Sequence, residues 1–130
     1  MSVIRIGPGA PWEGIVGYSR VVVRGDAAWV SGTTSVVDGA VAHPGDAGAQ
    51  TRQAIATLAE ALERAGFSLA DVVRTRMFVT DISRWEEIGR AHGDAFRDIR
   101  PATSMVQVAA LIDPAMLVEI EADAVRGSTA

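Results

Sequence analysis

The sequence predicts an α+β fold, a mixed β-sheet with two helices packed on one face. Three observations carry this. Short β-branched runs bounded by glycine, proline and aspartate read as strands. Two longer segments, Asp46 to Ala65 and Ser83 to Phe96, carry apolar residues at helical spacing behind capping residues. Nothing else in the chain is left to cover the second face of the sheet, and a sheet buries apolar surface only against a partner layer. The 130 residues fit a single domain spanning residues 1–130.

Taken in order, Val3 to Ile6 is a short strand that Pro8 and Pro11 break. Gly7-Pro8-Gly9 and Gly14 to Gly17 look superficially like a phosphate loop. No helix start and no lysine follow, so a flexible loop is expected. Ser19 to Arg24 and Ala27 to Ser31 form a hairpin around Gly25-Asp26, where a leading glycine fits a type II′ turn. Asp38-Gly39 closes a smaller hairpin between Val36-Val37 and Ala40-Val41.

Asp46 caps the first helix. Ile55, Leu58, Ala59 and Leu62 form its apolar stripe, and Gly66 ends it. Val72 to Thr80 is the clearest strand. Val73, Thr75, Met77 and Val79 are expected on one face, with Arg74, Arg76 and Phe78 on the other. Ser83-Arg84-Trp85-Glu86 has the pattern of a capping box opening the second helix. Ile88, Ala91 and Ala95 face inward there, and Gly89 and Gly93 suggest close packing. Arg100-Pro101 ends the segment, and Thr103 to Ala110 and Leu117 to Arg126 are the last strands.

Composition narrows the function classes. Cysteine is absent, which removes disulfides, thiol catalysis and cysteine-ligated zinc and suits a reducing, cytoplasmic setting. The net charge is −4 and every basic residue is arginine, so a polyanion has no basic patch to follow and nucleic acid is not an expected partner. No signal peptide and no run of apolar residues of membrane-spanning length is visible, so no membrane partner is expected.

Glu119, Glu121 and Asp123 alternate with apolar residues and therefore share one strand face, roughly 7 Å from neighbour to neighbour. Mutual repulsion would raise at least one pKa and suit it to general base work. The same pattern also fits a solvated strand face, the commoner case. Arg74 and Arg76 fit an anion site or, more simply, pairing with this acidic strand. His43 is placed in a loop and His92 on a helix surface, without ligand-like spacing, so neither a metal nor any other cofactor is expected.

Several segments together resemble the RidA/YjgF family of reactive-intermediate deaminases, also labelled endoribonuclease L-PSP. They are Gly17-Tyr18, Val30-Ser31-Gly32, the helix from Thr51 to Gly66, the strand from Val72 to Asp81, the run Arg100-Pro101-Ala102-Thr103-Ser104-Met105-Val106-Gln107-Val108, and Val118 to Ala122. The resemblance covers roughly residues 15–126. It implies a chorismate-mutase-like fold and a homotrimer with the sheets facing an inner barrel and ligand clefts between subunits. It also implies hydrolysis of enamines and imines.

In that pattern Glu119 positions the attacking water, Tyr18, Ser31 and Gly32 line the cleft, and Met105 offers a backbone carbonyl to the substrate amine. An arginine normally follows Pro-Ala and grips a carboxylate. Here Thr103 stands in its place, and Arg100 is the nearest candidate to compensate. The expected function is therefore hydrolysis of a small imine or similar electrophile lacking a carboxylate. A metabolite-binding trimer without turnover is the alternative, and ribonuclease activity ranks lower.

Overall fold

The computed structural model describes residues 2–7 and 11–127. Strands β1 (Val3–Ile6), β2 (Val21–Arg24), β3 (Ala27–Thr33), β6 (Val72–Val79), β7 (Ala102–Gln107) and β8 (Val118–Val125) form one sheet in the order β1-β2-β3-β8-β6-β7. All neighbours run antiparallel except β6 and β7. A parallel pair needs a crossover, and helix α3 (Trp85–Phe96) supplies it. The strands β4 (Val36–Val37) and β5 (Ala40–Val41) make the small separate hairpin. Helix α2 (Ala47–Arg64) lies beside α3 on one face of the large sheet.

Local chemistry explains most of these boundaries. At the β2–β3 turn only Gly25 has a positive φ, 60°, as a type II′ turn requires; Asp38 and Gly39 have φ 52° and 81°, the type I′ signature. The Asp46 carboxylate accepts the Ala49 N–H at 2.9 Å. Gly66 (φ 83°) ends α2 in a Schellman motif. Phe67 N–H donates to the Leu62 carbonyl and Gly66 N–H to that of Glu63.

The core lies between the helices and the sheet. Leu58, Leu62 and Ile55 of α2 and Ile88 and Phe96 of α3 pack on Val21, Val30, Met77, Val79, Val118 and Ile120. Gln50 of α2 is fully buried among them. Its amide nitrogen donates to the carbonyls of Ala115 (2.9 Å) and His43 (3.2 Å), and its oxygen accepts the Leu117 N–H (2.8 Å). It ties the loop before β8 to the helix. Gln50→Leu is expected to cost about 3 kcal/mol, because three backbone groups lose their partner away from water. Chemical denaturation measures this; an unchanged midpoint would contradict it.

Four expectations are corrected. A short helix, α1 (Trp12–Val16), replaces the expected flexible loop, closed by Gly17 (φ 87°), whose N–H donates to the Glu13 carbonyl. Pro8 and Gly9 lie outside the described residues. Ser83 does not cap α3: a 3₁₀ turn (Ile82–Arg84) intervenes, and Asp81 accepts both the N–H and the hydroxyl of Ser83. Those bonds hold the Asp81 carboxyl below its ordinary range. Val73 is exposed, because a bulge between Val72 and Arg74 turns Val72 into the core instead. Gly89 and Gly93 do not mark close packing: a Cβ would meet only the Trp85 ring at Gly89 and nothing within 4 Å at Gly93.

Candidate active site

The open face of the sheet follows from period two. Val118, Ile120, Ala122 and Ala124 are buried under the helices, so Glu119, Glu121 and Asp123 project from the other side. Register places Arg76 opposite Glu121. Its guanidinium lies 3.4 Å from Glu121 and 3.2 Å from Asp123. Arg74 donates to the Ser104 hydroxyl at 2.8 Å. Arg76 therefore serves the acidic strand face, whereas Arg74 makes no ion pair among the described residues and its buried Nε has no hydrogen-bond partner among them.

Glu119 stands apart from these pairs. It lies in a cleft of about 1280 Å³ whose lining includes Tyr18, Arg20, Ser31, Gly32 and Glu121. Gly32 is there for lack of a side chain, since a Cβ would overlap the Glu119 carboxylate. Burial pushes the Glu119 carboxyl up from its ordinary value. The Arg20 charge pulls it back, and Glu121 adds a smaller push upward. Desolvation thus outweighs the acid–acid repulsion on which the sequence reading relied.

Arg20 was not anticipated as a site residue. It is nine-tenths buried, donates to the Gly32 carbonyl at 2.6 Å, and carries an Nε with no hydrogen-bond partner among the described residues. Burial lowers its pKa, while Tyr18, Glu13 and Glu119 favour its charge. Arginine titrates so high that it stays cationic. It therefore fixes the Gly32 backbone and supplies the positive potential under Glu119. The Tyr18 phenol is raised by burial and remains a donor. Ser31 donates to the Ser19 carbonyl at 2.6 Å, which locks the entry of β2 against β3.

The cleft therefore holds one desolvated acid beside a buried guanidinium. The model of the family described as Endoribonuclease L-PSP matches residues 10–126. The chain belongs to this family, the RidA/YjgF family. A crystal structure of Rv2704 from Mycobacterium tuberculosis, a member of the YjgF/YER057c/UK114 family, is 52% identical with a TM-score of 0.87, covering 96% of this chain and 100% of that one. An uncharacterized protein of Streptomyces coelicolor, SCO2049, is 35% identical over 127 residues, 98% of this chain and 95% of its own. The 3-aminoacrylate deaminase RutC of Acinetobacter baylyi is 40% identical over 80 residues, 62% of this chain and 63% of its own length.

Within one chain, only part of the set expected from the RidA/YjgF pattern is brought together. Tyr18, Ser31, Gly32 and Glu119 share the cleft. Thr103, Met105 and Arg100 do not. Thr103 and Met105 lie on β7, the edge strand, in register with Thr75 and Met77. Those partners face the helices, whereas Glu119 pairs with Phe78 and faces away. Two strand steps alone separate β7 from β8 by roughly 10 Å. Glu119 and Thr103 of one chain therefore lie on opposite faces of the sheet.

Thr103 instead lines a second groove of about 400 Å³ with His92, Phe96, Arg100 and Pro101. Arg100 is exposed, has φ 55°, and gives its Nε–H to the Arg97 carbonyl at 3.0 Å. His92 is half-buried rather than free on the helix surface. Its Nε2 lies 3.0 Å from the Thr75 hydroxyl, and its ring is 4.5 Å from that of Phe96. No group of three or more acids and histidines able to hold a metal ion occurs among the described residues, and no helix among them is long and apolar enough to cross a membrane.

Proposed function

We propose that this protein hydrolyses a small, uncharged imine or enamine in clefts formed between copies of the chain. The Tyr18–Glu119 half comes from one copy and the Thr103 half from the next. The observation that carries it is Glu119 itself. It is the one acid of its strand face outside the Arg76 pairs, it is desolvated, and a glycine is spent to make room for it. The deaminase activity in the name of its RutC relative supports the same class of chemistry.

In this reading Glu119 takes a proton from water as the oxygen attacks the C=N carbon and passes that proton to the nitrogen, giving a neutral carbinolamine. The regenerated Glu119 carboxylate then takes the carbinolamine hydroxyl proton and delivers it to nitrogen, the C–N bond breaks as the C=O bond forms, and a carbonyl compound and an amine leave. A base pKa lifted toward neutrality by burial suits both transfers. Tyr18 and Arg20 stabilise charge in the cleft without touching the proton.

The uncovered sheet face supports assembly into a homotrimer with an inner barrel, since it exposes Trp29 and Val106 beside the charged rows. A carboxylate substrate fits less well, because Thr103 offers a hydroxyl where a guanidinium would pair. An RNA backbone fits poorly against Glu119 and Glu121.

The test is amine release from a neutral imine by the purified protein. Release roughly 10²–10⁴-fold or more above the uncatalysed rate is expected at neutral pH. Saturable binding without acceleration would replace this reading with that of a metabolite-binding trimer.

A further inference from the structure

Behind Thr103 runs a line of three polar groups. His92 Nε2 lies 3.0 Å from Thr75 Oγ1, which lies 2.8 Å from Thr103 Oγ1. Thr103 Oγ1 in turn lies 3.2 Å from the Pro101 carbonyl, which accepts its proton only when that proton does not point to Thr75. Thr75 is fully buried, so water cannot interrupt the line at its middle. Each hydroxyl carries one proton, so the direction of every bond in the row is set at one end.

In one direction His92 donates to Thr75, Thr75 to Thr103, and the Thr103 proton points outward. Its bond to Pro101 is long for an O–H donor, so that proton is available to a ligand acceptor. In the other direction Thr103 donates inward, Thr75 donates to the Nε2 lone pair, and Thr103 presents only lone pairs outward. A protonated imidazole permits the first direction alone.

We infer that His92 acts through Thr75 to set whether Thr103 donates or accepts, making Thr103 a switchable, uncharged head for carbonyl- or imine-bearing ligands. This rests on the reading that Thr103 belongs to the ligand cleft. His92 is then a positioning residue.

The surroundings leave His92 free to act this way. Arg97, at the end of α3, and Arg100, in the connection to β7, line the groove. Asp94, on the same helix, is tied to Arg52 of α2 and to Arg97. β6 and β7 present only the two hydroxyls. Burial is what moves the His92 pKa, downward from its ordinary value, so the neutral ring prevails at neutral pH and the switch operates below the ordinary histidine midpoint.

The test uses the full-length Glu119→Gln protein, so that Glu119 neither reacts nor titrates. The probe is N,N-dimethylpyruvamide, which has carbonyl acceptors and no N–H. Its affinity is followed by NMR titration across pH, with the ¹⁵N signals of His92 reporting tautomer and midpoint. Affinity is expected to rise at least about threefold as His92 takes up its proton, and the probe to raise the His92 midpoint reciprocally. Thr75→Val and Thr103→Val, nearly isosteric, abolish the pH response, and Thr103→Ser restores it.

A response that persists in Thr75→Val overturns the inference. So does an affinity that is flat across the His92 titration. Because binding is read without turnover, absence of hydrolysis in the wild type would leave this switch standing, and a flat profile would leave hydrolysis standing.

Discussion

Glu119→Gln is expected to lower amine release from a neutral imine by roughly 10²–10⁴-fold, the usual worth of a positioned base, while raising thermal stability at pH 8. The two effects share a cause. Burial raises the folded-state pKa of Glu119 above its ordinary value. The folded state therefore binds the proton more tightly than the unfolded chain, and stability falls as pH rises through the interval between the two pKa values. Above that interval the wild type carries the full cost of a desolvated carboxylate. Glutamine resembles the protonated form, so its gain in melting temperature is present at pH 8 and disappears below the interval. For the same reason wild-type turnover should have an acid limb whose midpoint lies above the ordinary carboxylate value. Melting curves and rate profiles of the two proteins across pH check both effects. A variant that is inactive and also less stable at pH 8 would mean that Glu119 is a structural ion-pair partner.

Gly32→Ala carries the second large effect. An added Cβ would overlap the Glu119 carboxylate, and the Gly32 backbone is not in the left-handed region, so the chain itself accepts alanine. The neighbour that must yield is a flexible side chain. Turnover is expected to fall about 100-fold through displacement of the reacting group by an ångström or so. Stability should change by less than about 1 kcal/mol, because alanine also reduces the freedom of the unfolded chain. The separation of the two readouts is the informative result. Steady-state kinetics with thermal melting measures it, and unaltered kinetics would remove Glu119 from the chemistry.

Much of the fold was legible because its determinants are local. The two hairpins rest on dipeptides at their turns. Helix α2 rests on Asp46, an apolar stripe and Gly66, and each element lies where those residues put it. The misreadings have two sources. Asp81, two residues before Ser83, leaves β6 in an extended conformation and caps the 3₁₀ turn with its carboxylate, so α3 opens without a side-chain cap. Val73 points outward because β6 bulges against β8, a partner more than 40 residues away in sequence.

The site divides in the same way. Alternation along β8 was enough to put Glu119, Glu121 and Asp123 on one face, and the family pattern named Tyr18, Ser31 and Gly32. Arg20 was legible as a charge opening an apolar strand, but its depth comes from β3 folding over it. The line from His92 to Thr103 joins α3, β6 and β7. Its members lie 17 and 28 residues apart, and no periodicity within one segment encodes it.

The proposed cleft shares one ligand between two chains, and this is open to direct measurement. Two inactive proteins, Glu119→Gln and Thr103→Phe, are unfolded together in equal amounts, refolded and assayed. If each cleft draws Glu119 from one copy and residue 103 from its neighbour, about a quarter of the wild-type rate should return, because one cleft in four pairs the two intact halves. Recovery of no activity, from mixed assemblies whose formation is confirmed by mass, would mean that each chain works alone.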